Sequence, residues 1–227
     1  MTATEPRPGV SESVVLDVAL TLFAERGFHG TALSQISDHL GIRTPSLYNH
    51  MRSKQDLLRA IVDETTATVL ADFRRATANG DWETQLREAT LVYAYRHATN
   101  RRAALVVNRD TDSLEEPHRS RFQDRRREHE HAFRAIIVAG ADAGVFRVDS
   151  PALASFAVRE MCVSIARWFR DDGKLSAADV AEQYASYALH IAGARSVEPG
   201  PRHLRPADLA APASDHRANR PQRHRIR

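Results

Sequence analysis

The stretch GFHGTALSQISDHLGIRTPSLYNHMRSKQDLL, residues 27–58, decides the fold of this chain. Apolar residues recur at helical spacing on both sides of Gly41, a residue type that ends helices because it adopts left-handed backbone angles at little cost. Thr31 stands at the N-cap position of the first segment. Thr44 and Pro45 stand at the N-cap and first position of the second, which we expect to end near residue 50. The spacing predicts two short helices joined by a tight turn.

A further helix is expected on each side of this pair. Upstream, the apolar residues between Ser11 and Phe23 fall on one helix face, and Gly27 follows as the residue that ends the helix. Downstream, Ser53 is the expected N-cap of a fourth helix, with Asp56 three residues on in a variant of the capping box. A pair of short helices preceded by a third is the helix-turn-helix arrangement, whose second helix is short enough to enter a DNA major groove.

The remaining sequence also shows helical periodicity, with no strand-like alternation of any length and no internal repeat. Ser150 and Ser176 mark the starts of two later helices. We therefore predict an all-α chain, in which an N-terminal three-helix helix-turn-helix domain precedes a larger helical domain. The predicted divisions are a flexible arm at residues 1–10, the helix-turn-helix domain at residues 11–57, the helical body at residues 58–194 and a disordered, basic, proline- and arginine-rich tail at residues 195–227.

Composition excludes several classes of protein. Cys162 is the only cysteine, so neither a disulfide within one chain nor a thiolate zinc cluster can form. We find no signal-peptide pattern and no apolar stretch of the roughly 20 residues that a membrane span needs. We expect a cytoplasmic protein without a cofactor, a metal or a membrane contact. The net charge of +3 says little about DNA, because residues 196–227 carry seven arginines against three acidic residues.

Local placement supports DNA binding better than the overall charge does. No acidic residue lies between Gly41 and Lys54, and side chains suited to phosphates and base edges are concentrated there. Asn49 suits bidentate pairing with adenine, whereas Tyr48 and His50 suit oxygens of the DNA backbone. The candidate DNA-binding residues are Thr31, Arg43, Thr44, Pro45, Ser46, Tyr48, Asn49, His50 and Lys54.

This stretch resembles the signature of the TetR family of transcriptional regulators, and the resemblance extends over about residues 11–63. It implies a repressor that binds double-stranded operator DNA as a homodimer. It also implies no catalytic activity. The residues that match the signature in register are Gly41, Ile42, Leu47, Tyr48, His50, Ser53 and Lys54, and those that depart from it are Arg43, Thr44 and Met51.

The resemblance further implies that the body, residues 58–194, is a ligand-binding and dimerisation domain with an interior pocket. The dimer interface would be formed by the last two helices, residues 151–170 and 176–193. The last helix carries alanines at positions 181, 185, 188 and 192, and such small residues would let a partner helix approach closely. The alternative is that this face packs only within its own chain.

A second stretch, residues 144–189, resembles a subgroup of TetR-family repressors that govern lipid or steroid breakdown and respond to acyl-CoA thioesters. The features that match are the Phe-Arg step at residues 146–147, the cluster at residues 167–170 and the Asp-Gly turn at residues 172–173. An acyl-CoA carries an apolar tail, a stackable adenine and phosphates, which apolar, aromatic and arginine side chains would bind. The candidate ligand-binding residues are Phe133, Phe156, Arg159, Met161, Ile165, Arg167, Trp168 and Arg170.

Other interpretations use parts of the same sequence. The candidate ligand residues would be ordinary core and solvated helix-end residues, and the inducer another apolar molecule, such as a drug or a metabolite exported by a pump. A helical enzyme would use His129 and His131, but these lie on different helix faces and do not match a zinc-binding HExxH motif. Finally, the basic tail would add non-specific affinity for nucleic acid in an RNA-binding or interaction protein.

Overall fold

The computed structural model describes residues 10–195, and within this range the chain is helical without a strand. The predicted all-α fold is confirmed. The expected arm and tail fall almost wholly on residues 1–9 and 196–227, outside the described residues. The helices are α1 (Glu12–Arg26), α2 (Leu33–Leu40), α3 (Thr44–Leu47), α4 (Lys54–Ala76), α5 (Trp82–Thr99), α6 (Arg101–Asp110), α7 (His118–Asp142), α8 (Pro151–Trp168) and α9 (Ala177–Ile191), with a 3₁₀ turn at Thr111–Ser113.

Several helix boundaries were predicted correctly because one side chain determines each of them. Ser53, Ser150 and Ser176 are the N-caps of α4, α8 and α9, and each serine hydroxyl accepts a hydrogen bond from a backbone N–H in the first turn. Gly41 ends α2 in the left-handed conformation, with φ of 65°. Because these capping contacts join residues that are close in the chain, they can be predicted from a few neighbouring residues.

Two predicted N-caps were wrong by one residue. The N-cap of α2 is Ala32, whose backbone N–H donates to Gln35 Oε1 at 2.9 Å, and Thr31 is buried instead. The N-cap of α3 is Arg43, so Thr44 and Pro45 occupy its first two positions. The helix also ends at Leu47, three residues earlier than predicted, because residues 48–50 continue as tight turns.

The N-terminal helices share one hydrophobic core that extends into the rest of the molecule. Phe23, Ile36 and Leu47 come from α1, α2 and α3 and are fully buried. Val106 of α6 and Phe122 of α7 belong to the same core. The predicted division between residues 57 and 58 lies inside α4, so this helix is a continuous connection between the helix-turn-helix and the body.

The body is organised around α5, which packs against α4, α7, α8 and α9. The alanines at positions 181, 185, 188 and 192 are fully buried in the core of their own protomer. The expectation that they offer a surface to a partner helix was therefore wrong: small residues let α9 lie close to α5 within one chain. None of the helices in residues 10–195 is long and apolar enough to cross a membrane.

Candidate DNA-binding surface and ligand cavity

The helix-turn-helix exposes residues in and around its second helix, α3. Tyr48 is 57% exposed, and Arg43, Pro45 and Asn49 are also exposed. Leu47 is completely buried between them and fixes α3 to the domain core. The remaining candidates in this segment, Thr44, Ser46 and His50, are half-buried. The surface therefore combines exposed polar and aromatic groups with a single apolar anchor.

The turn between α2 and α3 is braced by a hydroxyl pair. Ser37 Oγ donates to the Ser34 carbonyl at 2.8 Å and lies 2.9 Å from Thr44 Oγ1. Since the one hydroxyl proton of Ser37 is used on that carbonyl, Thr44 must be the donor to Ser37. The proton of Thr44 is thus committed inside the domain, where it fixes the angle between α2 and α3.

Two of the predicted DNA-binding residues make contacts within the domain. Lys54 Nζ donates to the carbonyl oxygens of Phe28 and Thr31, both at 2.7 Å, and stands 4.2 Å from the centre of the Phe28 ring. Burial lowers the pKa of this lysine. The Thr31 hydroxyl is buried and lies 2.9 Å from the Gly27 carbonyl and 3.2 Å from the Leu22 carbonyl. Together Lys54 and Thr31 tie the loop after α1 to the start of α4.

A cavity of about 200 Å³ lies in the body, between α4, α5, α6, α7 and α8. Its walls combine apolar and polar side chains, and five arginines contribute to them. The only acidic residue among its lining residues within the described part of the chain is Glu160. The lining arginines are Arg96, Arg125, Arg126, Arg159 and Arg167.

The deep wall of this cavity, which we define as Tyr93, His97, His129 and Arg159, is a buried polar cluster. The rings of Tyr93 and His97 are 4.5 Å apart between centroids, and those of Tyr93 and His129 are 4.9 Å apart. Burial, and then the charge of Arg159, lowers the pKa of His129 to about 3. Burial lowers that of His97 to about 4 although its Nδ1 contacts the Tyr93 carbonyl, and burial raises the pKa of Tyr93 to about 12.

The arginines at the cavity differ in how far their charges are neutralised. Arg96 pairs with the buried carboxylate of Asp72, with Nη2 2.5 Å from Oδ2, and Arg125 pairs with Asp63 at 2.6 Å. Arg126 and Arg167 are exposed at the rim, and neither forms an ion pair with a carboxylate of residues 10–195. The rim therefore presents positive charge to solvent.

The candidate ligand residues do not all meet at this cavity. Arg159 and Arg167 line it, whereas Phe133, Phe156, Met161, Ile165, Trp168 and Arg170 do not. Phe133 and Ile165 are fully buried core residues, with the Phe133 ring packed behind His129. Tyr93 and His97 also line the cavity, although neither was among the predicted ligand-binding residues. Their only signal in the sequence is the i, i+4 spacing, which places both side chains on one face of α5.

Helices α8 and α9 instead form an exposed apolar face. Phe156 is 58% exposed and Trp168 is 46% exposed, and four other large apolar residues of this region are also exposed. The apolar stripe of α8 that the sequence analysis assigned to a pocket is thus partly this outer face, because α8 carries two apolar stripes. The face consists of Leu153, Phe156, Trp168, Leu175, Tyr187 and Ile191.

Helix α6 links the cavity to the helix-turn-helix. It lines the cavity with Ala104, Val107 and Asn108. On its other side, Arg109 donates to the carbonyl oxygens of Phe23 and Ala24 at the end of α1. Any displacement of α6 by an occupant of the cavity would therefore act directly on α1.

Comparison with known proteins agrees with this architecture. Residues 15–61 match the family model described as bacterial regulatory proteins of the tetR family, and residues 79–192 match that of the tetracyclin repressor-like C-terminal domain. The HTH-type transcriptional repressor KstR2 of Rhodococcus jostii strain RHA1 is 29% identical over 178 residues, covering 77% of this chain and 87% of that protein.

Two solved structures have the same fold. The ketosteroid transcriptional regulator KstR2 of Mycobacterium tuberculosis gives a TM-score of 0.76 at 23% identity, over 81% of this chain and 95% of that one. AibR in complex with isovaleryl coenzyme A and operator DNA gives a TM-score of 0.69 at 20% identity, over 78% of this chain and 96% of that one. With one family model over the helix-turn-helix and another over about half of the chain in the body, this protein belongs to the TetR family of transcriptional regulators and not to a class of enzymes.

Proposed function

We propose that this protein is a cytoplasmic repressor that binds operator DNA as a homodimer and leaves it when a small molecule occupies the cavity of the body. The observation that carries the proposal is the exposed surface after α3, where Tyr48 and Asn49 project beside the buried anchor Leu47. Family membership supports it independently. Tyr48, Asn49 and Arg43 are the residues that we expect to contact DNA, with Thr31 and Lys54 holding the domain behind them.

The dimer would form through the exposed apolar face of α8 and α9. Isolated apolar side chains are common on protein surfaces, but a face with Phe156, Trp168 and Tyr187 together is typical of a protein–protein contact. A two-fold axis through this face makes the interface self-complementary. It would present two recognition helices to half-sites separated by about 34–36 Å or a multiple of it.

The inducer is proposed to be an amphipathic molecule with an anionic head, and an acyl-CoA thioester is our first candidate. Arg126 and Arg167 at the cavity rim would pair with its phosphates, and the apolar walls with part of its acyl chain. A neighbour in fold, AibR, is described with isovaleryl coenzyme A and operator DNA, and another, KstR2, as a ketosteroid regulator. The first of these descriptions names a ligand of this chemical class.

Release from DNA would follow from the position of α6. A ligand that contacts Val107 and Asn108 would favour a conformer in which α6 is displaced, and Arg109 would transmit this displacement to α1. The ligand shifts the population only by as much as it binds that conformer better than the DNA-bound one. Ligand and operator must therefore weaken each other's binding by the same factor.

A fluorescence-anisotropy titration onto the DNA upstream of the protein's own gene tests the proposal, with and without a panel of acyl-CoA thioesters. Tyr48→Ala should weaken operator binding by about tenfold or more, because it removes an exposed contact of the recognition segment, while the dimer and ligand binding persist. His131→Ala, an exposed position on α7, is the matched control and should bind as the parent protein does.

The outcomes separate the parts of the proposal. Salt-sensitive binding that one thioester abolishes would support both the regulator and its inducer class. Binding unaffected by every thioester would discard the inducer and favour another apolar ligand, such as an exported drug. Unchanged operator affinity in Tyr48→Ala would contradict the assigned recognition surface. If the protein does not bind the upstream DNA, its operator is sought by selecting bound fragments from random DNA, and the titration is repeated with the selected sequence.

A further inference from the structure

The deep wall of the cavity contains polar atoms that have no hydrogen-bond partner among the residues that the structure describes. Arg159 is 6% exposed and His129 is 7% exposed, yet Arg159 Nε and His129 Nε2 make no hydrogen bond within residues 10–195. Both residues line the cavity. A buried donor without an acceptor costs about 1–3 kcal/mol, and a charged one costs more, so such atoms are rare unless a site uses them.

The charge of Arg159 is poorly neutralised. Its nearest carboxylate is that of Glu130, with Nη1 3.5 Å from Oε2, beyond the distance of a strong charged hydrogen bond. Glu130 also accepts from Arg134 at 3.1 Å and is about one-third exposed, so its charge is shared with a second arginine and with water. Arg159 therefore lines the cavity as a buried cation whose positive charge is only weakly neutralised by the protein.

The neighbours of Arg159 add hydrogen-bonding capacity without adding charge. His97 and His129 stay neutral near neutral pH because burial holds both pKa values well below 6.5. A neutral imidazole offers one donor and one acceptor, and the Tyr93 hydroxyl, which keeps its proton, offers another donor. The deep wall thus has one formal positive charge, and His129 and Tyr93 add uncharged donors, whereas the proton of His97 is donated to the Tyr93 carbonyl.

We infer that the deep wall of this cavity binds a carboxylate group, through Arg159 Nε and His129 Nε2. One formal charge matches a monoanion, and a planar carboxylate fits the edge of one guanidinium better than a phosphate dianion would. The carboxylate belongs either to a free acid or to the far end of an acyl thioester whose head lies at the rim. The inference rests on the proposed ligand site but not on DNA release.

Direct binding by the full chain tests this without DNA. Isothermal titration calorimetry compares hexanoate with hexanamide, which have the same chain but differ in charge, and adipoyl-CoA with hexanoyl-CoA, which differ in a terminal carboxylate. The carboxylate member of each pair should bind about tenfold or more tightly, since a charged hydrogen bond to a buried donor is lost in the other. A preference within only one pair identifies the source of the carboxylate.

Arg159→Met is the decisive variant, because it keeps much of the side-chain volume and removes the charge. It should abolish the preference for the carboxylate and raise the melting temperature of the ligand-free protein, since a poorly neutralised buried charge is removed. A structural role for Arg159 would lower the melting temperature instead. Arg121→Met, at an exposed position of α7 outside the cavity lining, is the matched control and should retain the carboxylate preference of the parent protein.

Equal binding of the two members in both pairs by the parent protein, or an unchanged preference in Arg159→Met, would overturn the inference. Should Arg159→Met fail to fold, His129→Phe takes its place, because an aromatic ring fits among Phe73, Tyr93 and Phe133. Loss of the carboxylate preference in that variant has the same meaning. A protein that binds carboxylates but no operator would contradict the proposed function and leave this inference standing.

Discussion

The helix-turn-helix and the deep wall of the cavity treat buried polar groups in opposite ways. In the first, the half-buried Lys54 ammonium and the buried hydroxyls of Thr31 and Ser37 are all paired with protein acceptors. In the second, Arg159 Nε and His129 Nε2 have no hydrogen-bond partner within the described part of the chain. Hydrogen-bonded groups stabilise one conformation of the domain, whereas buried groups without a hydrogen bond are stabilised when a ligand supplies the missing partner. The difference suggests a rigid domain for reading DNA and a body completed by its ligand.

The largest effect should come from breaking the ammonium contacts. Lys54→Met leaves the carbonyl oxygens of Phe28 and Thr31 without their donor, and the loss of two charged hydrogen bonds should lower the free energy of unfolding by about 3 kcal/mol. Urea denaturation measures this change. Lys174→Met, at an exposed turn, is the control and should unfold as the parent does. Equal stability of the two variants would remove the structural role given to Lys54.

A second effect concerns acid sensitivity of the body. His97 and His129 have folded pKa values of about 4 and about 3, below their ordinary 6.5, so on acidification the unfolded chain takes up protons first. Stability is therefore full above about pH 6.5 and falls as the pH approaches 4. Between about pH 7 and about pH 5.5 each histidine should cost about 1 kcal/mol. Urea denaturation across this range measures the loss.

The histidine prediction has its own internal check. In His129→Phe the pH-dependent loss should be about half that of the parent, because one of the two buried imidazoles is gone. A pH profile identical to that of the parent would show that His129 protonates as readily in the folded protein as in the unfolded chain. The comparison between the helix-turn-helix and the deep wall would then rest on hydrogen bonds alone and no longer on pKa values.

The smallest expected effect is the loss of stability when the buried hydroxyl of Thr31 is removed from the helix-turn-helix. Thr31→Val keeps the shape of the side chain and removes the hydroxyl that contacts the Leu22 and Gly27 carbonyls, and it should lower the free energy of unfolding by about 1 kcal/mol. The same denaturation experiment applies. The folded variant should bind the operator as tightly as the parent does. A large loss of affinity without a loss of stability would instead indicate that Thr31 contacts DNA.

The sequence predicted the helix-turn-helix well because its signals are local. Gly41 and Ser53 act within one turn of the chain, and their roles depend on neighbours a few residues away. The errors there, at Thr31 and Thr44, are one residue in size. Even so, the pattern could not show that Lys54 reaches back to Phe28, 26 residues earlier, since that contact needs the folded loop.

The body was harder to predict because α8 carries two apolar stripes. Val158, Cys162 and Ile165 are buried in the protomer, whereas Phe156 and Trp168 are exposed on the outer face. Periodicity shows both stripes but does not say which one faces the protein's own core. The sequence pattern indicates the cavity even less clearly than the outer face. The deep wall brings together residues of α5, α7 and α8, and the arrangement of these helices depends on tertiary packing.

The continuity of α4 has a mechanical consequence. Its residues Thr65 to Leu70 line the cavity, and its first residue, Lys54, holds the loop before α2. At 1.5 Å of rise per residue, the distance along the helix from Leu70 to Lys54 is about 24 Å. A tilt of about 5° at the cavity end would therefore carry the other end sideways by about 2 Å. If a ligand expands the cavity, we expect α4 to act as a lever that turns this small expansion into a shift large enough to misalign a side chain with a base edge.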